Sequence, residues 1–372
     1  MQPRKSKASI RNTLVSLILT ELFEAIDNGQ MNHDVSLMRQ IEVLFNTQAW
    51  GFREIVLVIC IAHRLDSTFK ASEDFYACNP RTLYEKPIRE ELDRRGIPSR
   101  QSGPLNVAKG AKGINDQWAA GREPRSVADQ VVSLVQQIEQ MDRAELDNFT
   151  KLLLSRFLQE RKVVEKLNVQ AKPNSDAAHL YHVCERLIDT VPDGGNTPQR
   201  IVGYLLESYH EDLQTGLIVS GHTDRASTTS TTSKKLGDIT EEQIGGLIIS
   251  AYEVTVKSFG HQRIREAYEA AHSYLTKAQA VNREIVVICR KKDVHPDVTP
   301  VSNTYLGRLE YQDITFHFVD IYEWIMAQLL RMTADARTAF FTKLQNYIAD
   351  KNTSAKVKVA WATISQITDA IQ

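Results

Sequence analysis

Apolar residues recur at helical spacing through the first part of the chain. Ile10, Leu14, Leu17, Ile18, Leu22 and Ile26 form one stripe over residues 10–28, the period of an amphipathic helix. Residues 53–64 are apolar with few interruptions and predict a buried helix. Residues 79–96 open on Asn-Pro-Arg-Thr and close on Arg-Arg-Gly, a start and a stop signal. Two further helices with many charged positions are expected over 126–167. Breaks follow at 171–175 and 192–198, both rich in turn formers. Thr197 as cap and Pro198 in the first turn then begin a helix over 198–210. Residues 222–235 are polar, rich in Ser and Thr, and predict a loop.

The period changes after residue 237. Tyr252, Val254 and Val256 alternate with Glu253, Thr255 and Lys257, which predicts a strand over 248–257 with one core face and one polar face. A helix over 261–279 follows. Ile285-Val286-Val287-Ile288-Cys289 is continuously apolar and reads as a central strand, and 314–319 is a third candidate strand. The tail returns to helix over 320–349 and 355–370. The expected organisation is a mainly helical region over 1–172, an α/β core with a mixed sheet over 173–320, and C-terminal helices over 321–372. Those last helices either pack on the core or form a dimer surface.

Composition narrows this picture only slightly. Of 372 residues 42% are apolar, enough for a substantial core. A net charge of −1 neither supports nor excludes a nucleic-acid partner, because the local pattern of charge decides. Cys60, Cys78, Cys184 and Cys289 form no Cys-x-x-Cys pair, which argues against a zinc ribbon and for reduced thiols. The run Leu14–Leu19 is followed at once by Glu21, Glu24 and Asp27, unlike a signal peptide. No apolar run approaches the ~18 residues that span a bilayer. A soluble, cytoplasmic chain with no membrane partner is expected. Phosphate-loop, dinucleotide-binding, His-Glu-x-x-His and Gly-x-Ser-x-Gly motifs are all absent.

The candidate chemistry lies between Gly237 and Lys257. Asp238 falls in a turn and Glu253 on the strand that follows. Two converging carboxylates can hold a divalent ion such as Mg²⁺ against a phosphodiester. The Val254 carbonyl is a third candidate ligand, and Lys257 is placed to polarise water or neutralise phosphate.

Here the chain resembles the PD-(D/E)xK nuclease superfamily, the fold of many type II restriction endonucleases, and in its wider run those of the SacI type. Gly237-Asp238 resembles the first half-motif and Glu253-Val254-Thr255-Val256-Lys257 the second, with the helix from His261 and the strand 285–289 in the expected order. Glycine replaces the usual proline. The usual lysine position is Thr255, and Lys257 lies two residues beyond it, about 13 Å of strand from Glu253. Either Lys257 or one of Lys234 and Lys235 then serves as the working cation.

The resemblance implies a Mg²⁺-dependent, sequence-specific endonuclease acting on double-stranded DNA as a homodimer. It adds Glu207, on the preceding helix, as a third acid, and Gln262 with Tyr268 on the following helix. For DNA contacts, the basic segment within 79–126 offers Arg81, Arg100, Asn106, Lys109 and Lys112, the last four in or near a loop. The 222–235 loop offers Arg225, and Arg263 is either a phosphate contact or solvated. The alternative is a non-catalytic DNA-binding or interaction protein in which Asp238 and Glu253 are bystanders.

Overall fold

The computed structural model describes residues 7–47, 49–224, 236–278 and 283–369. They divide into two compact units, Met1–Lys166 and Leu167–Gln372. Among the described residues no helix is long and apolar enough to cross a membrane.

The first unit is helical. Its long helices are α1 (Lys7–Asp27), α2 (Val35–Phe45), α3 (Gly51–Leu65), and, later in the chain, Arg125–Ile138 and Arg143–Lys166. The expected buried helix is α3, and its burial extends to two charged residues, Arg53 and Glu54, both 0% exposed. Phe45, Trp50 and Phe157 surround the Arg53 guanidinium, which also pairs with Glu160 at 3.5 Å. Glu54 Oε1 accepts the Arg100 amide at 2.5 Å.

The expected helix over 79–96 is broken into three parts. These are α4 (Pro80–Leu83), a wider π turn over Tyr84–Ile88, and α5 (Arg89–Arg94). Pro87 sits in the π turn, where its missing amide hydrogen removes a regular helical bond. The segment expected as a loop around Asn106 is instead helix α6 (Gly103–Ala108), with Pro104 in its first turn. The first residue of α6 lies so close to Glu54 that only glycine fits. A Cβ on Gly103 would fall 1.4 Å from Glu54 Oε2.

The remaining helices of this unit are α7 (Asp116–Ala120), α8 (Arg125–Ile138) and α9 (Arg143–Lys166). Leu19, Phe23, Ile59, Val131, Leu153 and Phe157 belong to one buried cluster that the long helices share.

The second unit is mixed α/β. Helices α10 (Ala177–Thr190) and α11 (Asn196–Asp212) precede strands β1 (Leu217–Ser220), β2 (Ile239–Gln243) and β3 (Ile248–Thr255). Helix α12 (His261–Ala278) follows, then β4 (Glu284–Cys289), β5 (Tyr305–Tyr311) and β6 (Ile314–Asp320). After β6 the described residues continue through α13 (Ile321–Arg331), α14 (Ala334–Ala349) and α15 (Ala355–Asp369).

The six strands form one sheet in the order β1-β2-β3-β4-β6-β5. β1, β2 and β3 are an antiparallel meander, β3 to β4 and β4 to β6 are parallel, and β5 to β6 is antiparallel. α12 makes the β3-to-β4 crossover, the connection that a parallel pair requires.

Both faces of the sheet are covered. On one face Ile239, Val254 and Ile288 pack with Leu205 of α11 and with Ile325, Phe340 and Trp361 of the last three helices. On the other, Ala251, Val287 and Phe316 pack with Ile264, Ala267 and Ala271 of α12. The C-terminal helices therefore contribute to the core of this unit. The face of β3 expected to be polar, with Glu253 on it, packs under α12, and Glu253 is buried there. The strand also ends at Thr255 rather than 257.

Candidate active site

The register of the meander brings the two acids together. Ile239 pairs with Tyr252 in the antiparallel β2–β3 ladder, so Asp238, one residue earlier, stands opposite Glu253, one residue later. Asp238 Oδ2 accepts the Val254 amide at 3.0 Å, which fixes the turn to the strand. The glycine before it has a steric reason. A Cβ on Gly237 would lie 2.7 Å from the Tyr252 carbonyl oxygen, so neither alanine nor proline fits this approach without a shift of backbone.

Like charges directly opposite one another are destabilising, and here one of them is 1% exposed. Burial, and then the Asp238 charge, raise the Glu253 carboxyl from its ordinary value to about 8. Arg263, in the first turn of α12, opposes this shift. Its Nη2 donates to Glu253 Oε2 at 2.9 Å, and its own affinity for its proton is raised by Glu253 and Asp238 against the effect of burial. The guanidinium side chain keeps 37% of its surface exposed while Glu253 is enclosed. The arrangement is two carboxylates facing one another with a guanidinium at the outer edge.

The other expected site residues are placed differently. Thr255 closes the strand: its Oγ1 accepts the Lys257 amide at 3.1 Å. Lys257 is exposed and lies two residues beyond the end of the strand on which it was expected. The Val254 side chain is in the core, and its amide serves Asp238. Glu207 is occupied by other partners. Lys343 Nζ lies 2.7 Å from Glu207 Oε2 and His222 Nε2 lies 3.6 Å away. His222 foremost, and Lys343, hold the Glu207 carboxyl down at about 2. Gln262 is exposed and donates to Glu266 of its own helix at 2.9 Å, rather than to the two acids.

In the helical unit, Arg81 of α4, Asn106 of α6, and Lys109 and Lys112 just after α6 are exposed. Arg100 differs, with its guanidinium stacked over Trp50, 4.4 Å from the ring centre. Arg225, Lys234 and Lys235 lie outside the described residues.

Arg263 is legible in the sequence only as a basic residue. Its partner is ten residues earlier, across the strand-to-helix turn, and no spacing rule links the two. A second buried network escapes sequence reasoning altogether. Glu241 of β2 receives His210 Nε2 at 2.6 Å and the Tyr252 hydroxyl at 2.8 Å, and Thr215 Oγ1 lies 2.9 Å from His210 Nδ1. His210, Glu241 and Tyr252 border a cavity of about 250 Å³ that Trp324, Gln328 and Arg331 also line. No family model matches this chain, and no curated protein matches it significantly.

Proposed function

We propose that this protein is a Mg²⁺-dependent endodeoxyribonuclease of the PD-(D/E)xK type, with Asp238 and Glu253 as the metal-holding acids. The observation that carries the reading is the placement of Asp238 opposite Glu253. Two carboxylates forced together, one of them buried, form an all-oxygen donor set with excess negative potential, which suits a hard divalent cation. Such an ion would supply a Lewis acid for phosphodiester hydrolysis and lower the pKa of water. The order α11, β1-β2-β3 antiparallel, α12, β4 parallel to β3 also supports the reading, since it matches the acid–acid–helix–strand order of the resembled superfamily.

The residues divide the remaining work. Asp238 is oriented by the Val254 amide. Glu253, whose carboxyl changes its proton near neutral pH, is suited to exchange a proton with attacking water. Arg263 carries the positive charge that the displaced lysine supplies in the family, and its half-buried guanidinium, the more exposed member of the pair, can turn from Glu253 to a phosphate oxygen. Hydrolysis then forms one phosphorus–oxygen bond to water, breaks one to the leaving sugar oxygen, and leaves that oxygen protonated. In this reading Glu207 is a structural partner of Lys343. Site-specific, type II cleavage of double-stranded DNA by a homodimer is part of the same proposal, with Arg81, Asn106, Lys109 and Lys112 as DNA contacts.

The Glu253–Arg263 pair also favours a second reading. A carboxylate 1% exposed and bonded to arginine is equally a structural ion pair, and the protein is then a non-catalytic DNA-binding or interaction protein. Incubation of the chain with DNA of many sequences in Mg²⁺ separates the two. The nuclease reading expects cleavage abolished by EDTA and by Asp238→Ala. DNA binding with no cleavage, or cleavage retained by Asp238→Ala, overturns it.

A further inference from the structure

We infer that His261, His295 and Asp297 form a binding site for a borderline divalent transition metal of the Zn²⁺ class. The donor atoms of these three side chains all lie within 4.8 Å of one another. Three points so spaced always share a centre within ~2.8 Å of each. Every donor therefore reaches the ~2.0–2.1 Å of a zinc–nitrogen or zinc–carboxylate bond by moving less than about 1 Å. His261 and Asp297 are exposed and free to make that movement, while His295 is 1% exposed and fixed.

The fixed member of the set, His295, is oriented by the chain around it. The ring is positioned by Asp297, whose amide donates to Nδ1 at 3.2 Å and whose Oδ2 lies 3.8 Å from the same nitrogen. The His261 ring meets it edge-on, with centroids 4.7 Å apart. Because Nδ1 accepts the Asp297 amide hydrogen, it is the nitrogen that bears the lone pair ligation needs, and the Asp297 carboxylate lies on its side of the ring.

The scaffold beneath the cluster is already assembled. His261 is the first residue of α12, and His295 follows the turn after β4. The two segments are joined by Phe259 N donating to the Asp293 carbonyl at 2.8 Å. Phe259 itself is anchored against Phe316 and Phe318. A metal there completes a clamp at the start of the helix that carries Arg263.

Donor chemistry selects the ion. Two imidazoles and one carboxylate favour Zn²⁺, Co²⁺ or Ni²⁺ over Mg²⁺, whereas the Asp238–Glu253 set is oxygen only. The two sites therefore take different metals, and the inference stands whether or not the protein cuts DNA.

The test uses the untagged full-length chain, stripped with chelator and titrated with Co²⁺ and with Zn²⁺. Visible Co²⁺ absorption and calorimetry are the readouts. The expectation is one tight site per chain, Co²⁺ bands displaced by Zn²⁺, and affinity lowered at least about tenfold in His261→Ala. That variant removes an exposed side chain and leaves the buried ring in place. Asp238→Asn is expected to bind Zn²⁺ as the parent does. No Co²⁺ bands and no Zn²⁺ heat in the parent chain overturn the inference. So does unchanged affinity in His261→Ala, or loss of the site in Asp238→Asn.

Discussion

Arg263 Nη2 lies 2.9 Å from Glu253 Oε2, and the arginine is the more exposed of the two partners, 37% against 2% for their side chains. The pair is therefore asymmetric: the cation can leave for solvent, but the anion cannot. Replacing Arg263 with Met leaves a buried carboxylate beside Asp238 with no counter-charge. At pH 8 without divalent metal, Arg263→Met is expected to lose up to about 3 kcal/mol of stability, reduced from the fully buried case because Arg263 is partly solvated. Urea denaturation of the second unit, with and without Mg²⁺, measures this. Under the nuclease proposal Mg²⁺ restores part of the loss. A deficit that Mg²⁺ leaves unchanged identifies the pair as structural.

Proton linkage gives a second measurement. The folded-state pKa of Glu253 is raised from its ordinary 4.5 to about 8. The protonated form is thus the one that folding favours. Its contribution is fully present below about pH 4.5 and is lost as pH rises through 8. Divalent metal binds the ionised form, so Mg²⁺ affinity is expected to rise with pH up to about 8, with close to one proton released per ion bound below that pH. Calorimetry in buffers of different ionisation enthalpy counts the proton. Glu253→Gln removes both the proton release and the pH dependence. A proton count of zero in the parent chain removes Glu253 from the metal site.

The approach of Gly237 to β3 is a third point of leverage. A methyl group there meets the Tyr252 carbonyl oxygen at 2.7 Å and its carbon at 3.2 Å, and backbone has nowhere to rotate away. Gly237→Ala is expected to cost roughly 1–3 kcal/mol and to displace Asp238 from the Val254 amide. Under the nuclease reading, cleavage then falls by more than about tenfold although no ligand has been changed. Thermal denaturation together with a plasmid-nicking assay gives both values. Unaltered stability shows that the turn does not press on the strand.

The strands and helices with strong periodicity are legible in the sequence. β3, β6, α11 and α12 fall where the pattern of apolar positions puts them, and β4 falls on the continuously apolar run 285–289. β2 is not legible, because Ile-Thr-Glu-Glu-Gln has the polarity of a loop; Glu241 is tolerated in the sheet because His210 and Tyr252 take its two oxygens. α6 reads as a loop because Gly103 and Pro104 are turn formers, and the glycine is there to make room for Glu54. The acids Asp238 and Glu253 are legible by type and order. Their counter-ion is not, because Arg263 reaches Glu253 through a turn whose path depends on Phe259 being pinned to Asp293. β3 stops short of its alternating pattern for a local reason. Thr255 bonds to both backbone groups of Lys257 and so ends the ladder there.

The helical unit contains its own pH-sensitive position, in Glu54. Burial foremost raises this carboxyl from its ordinary 4.5 to about 7, against the opposing effects of the Arg100 amide and Arg53. Protonated Glu54 is therefore the form that the fold prefers. The stabilising contribution is complete below about pH 4.5 and disappears as pH rises through 7, a difference of roughly 3 kcal/mol over that range. Glu54→Gln keeps an oxygen for the Arg100 amide and cannot ionise. It is expected to match the parent at pH 5, exceed it by about 2–3 kcal/mol at pH 8, and flatten the profile between. Gly103→Ala is expected to lose at least about 3 kcal/mol at both pH values, since its clash with Glu54 is steric and does not titrate. Urea midpoints from pH 5 to 8 for the three chains decide the matter. Parallel profiles for the parent and Glu54→Gln mean that Glu54 stays ionised beside Arg53 throughout.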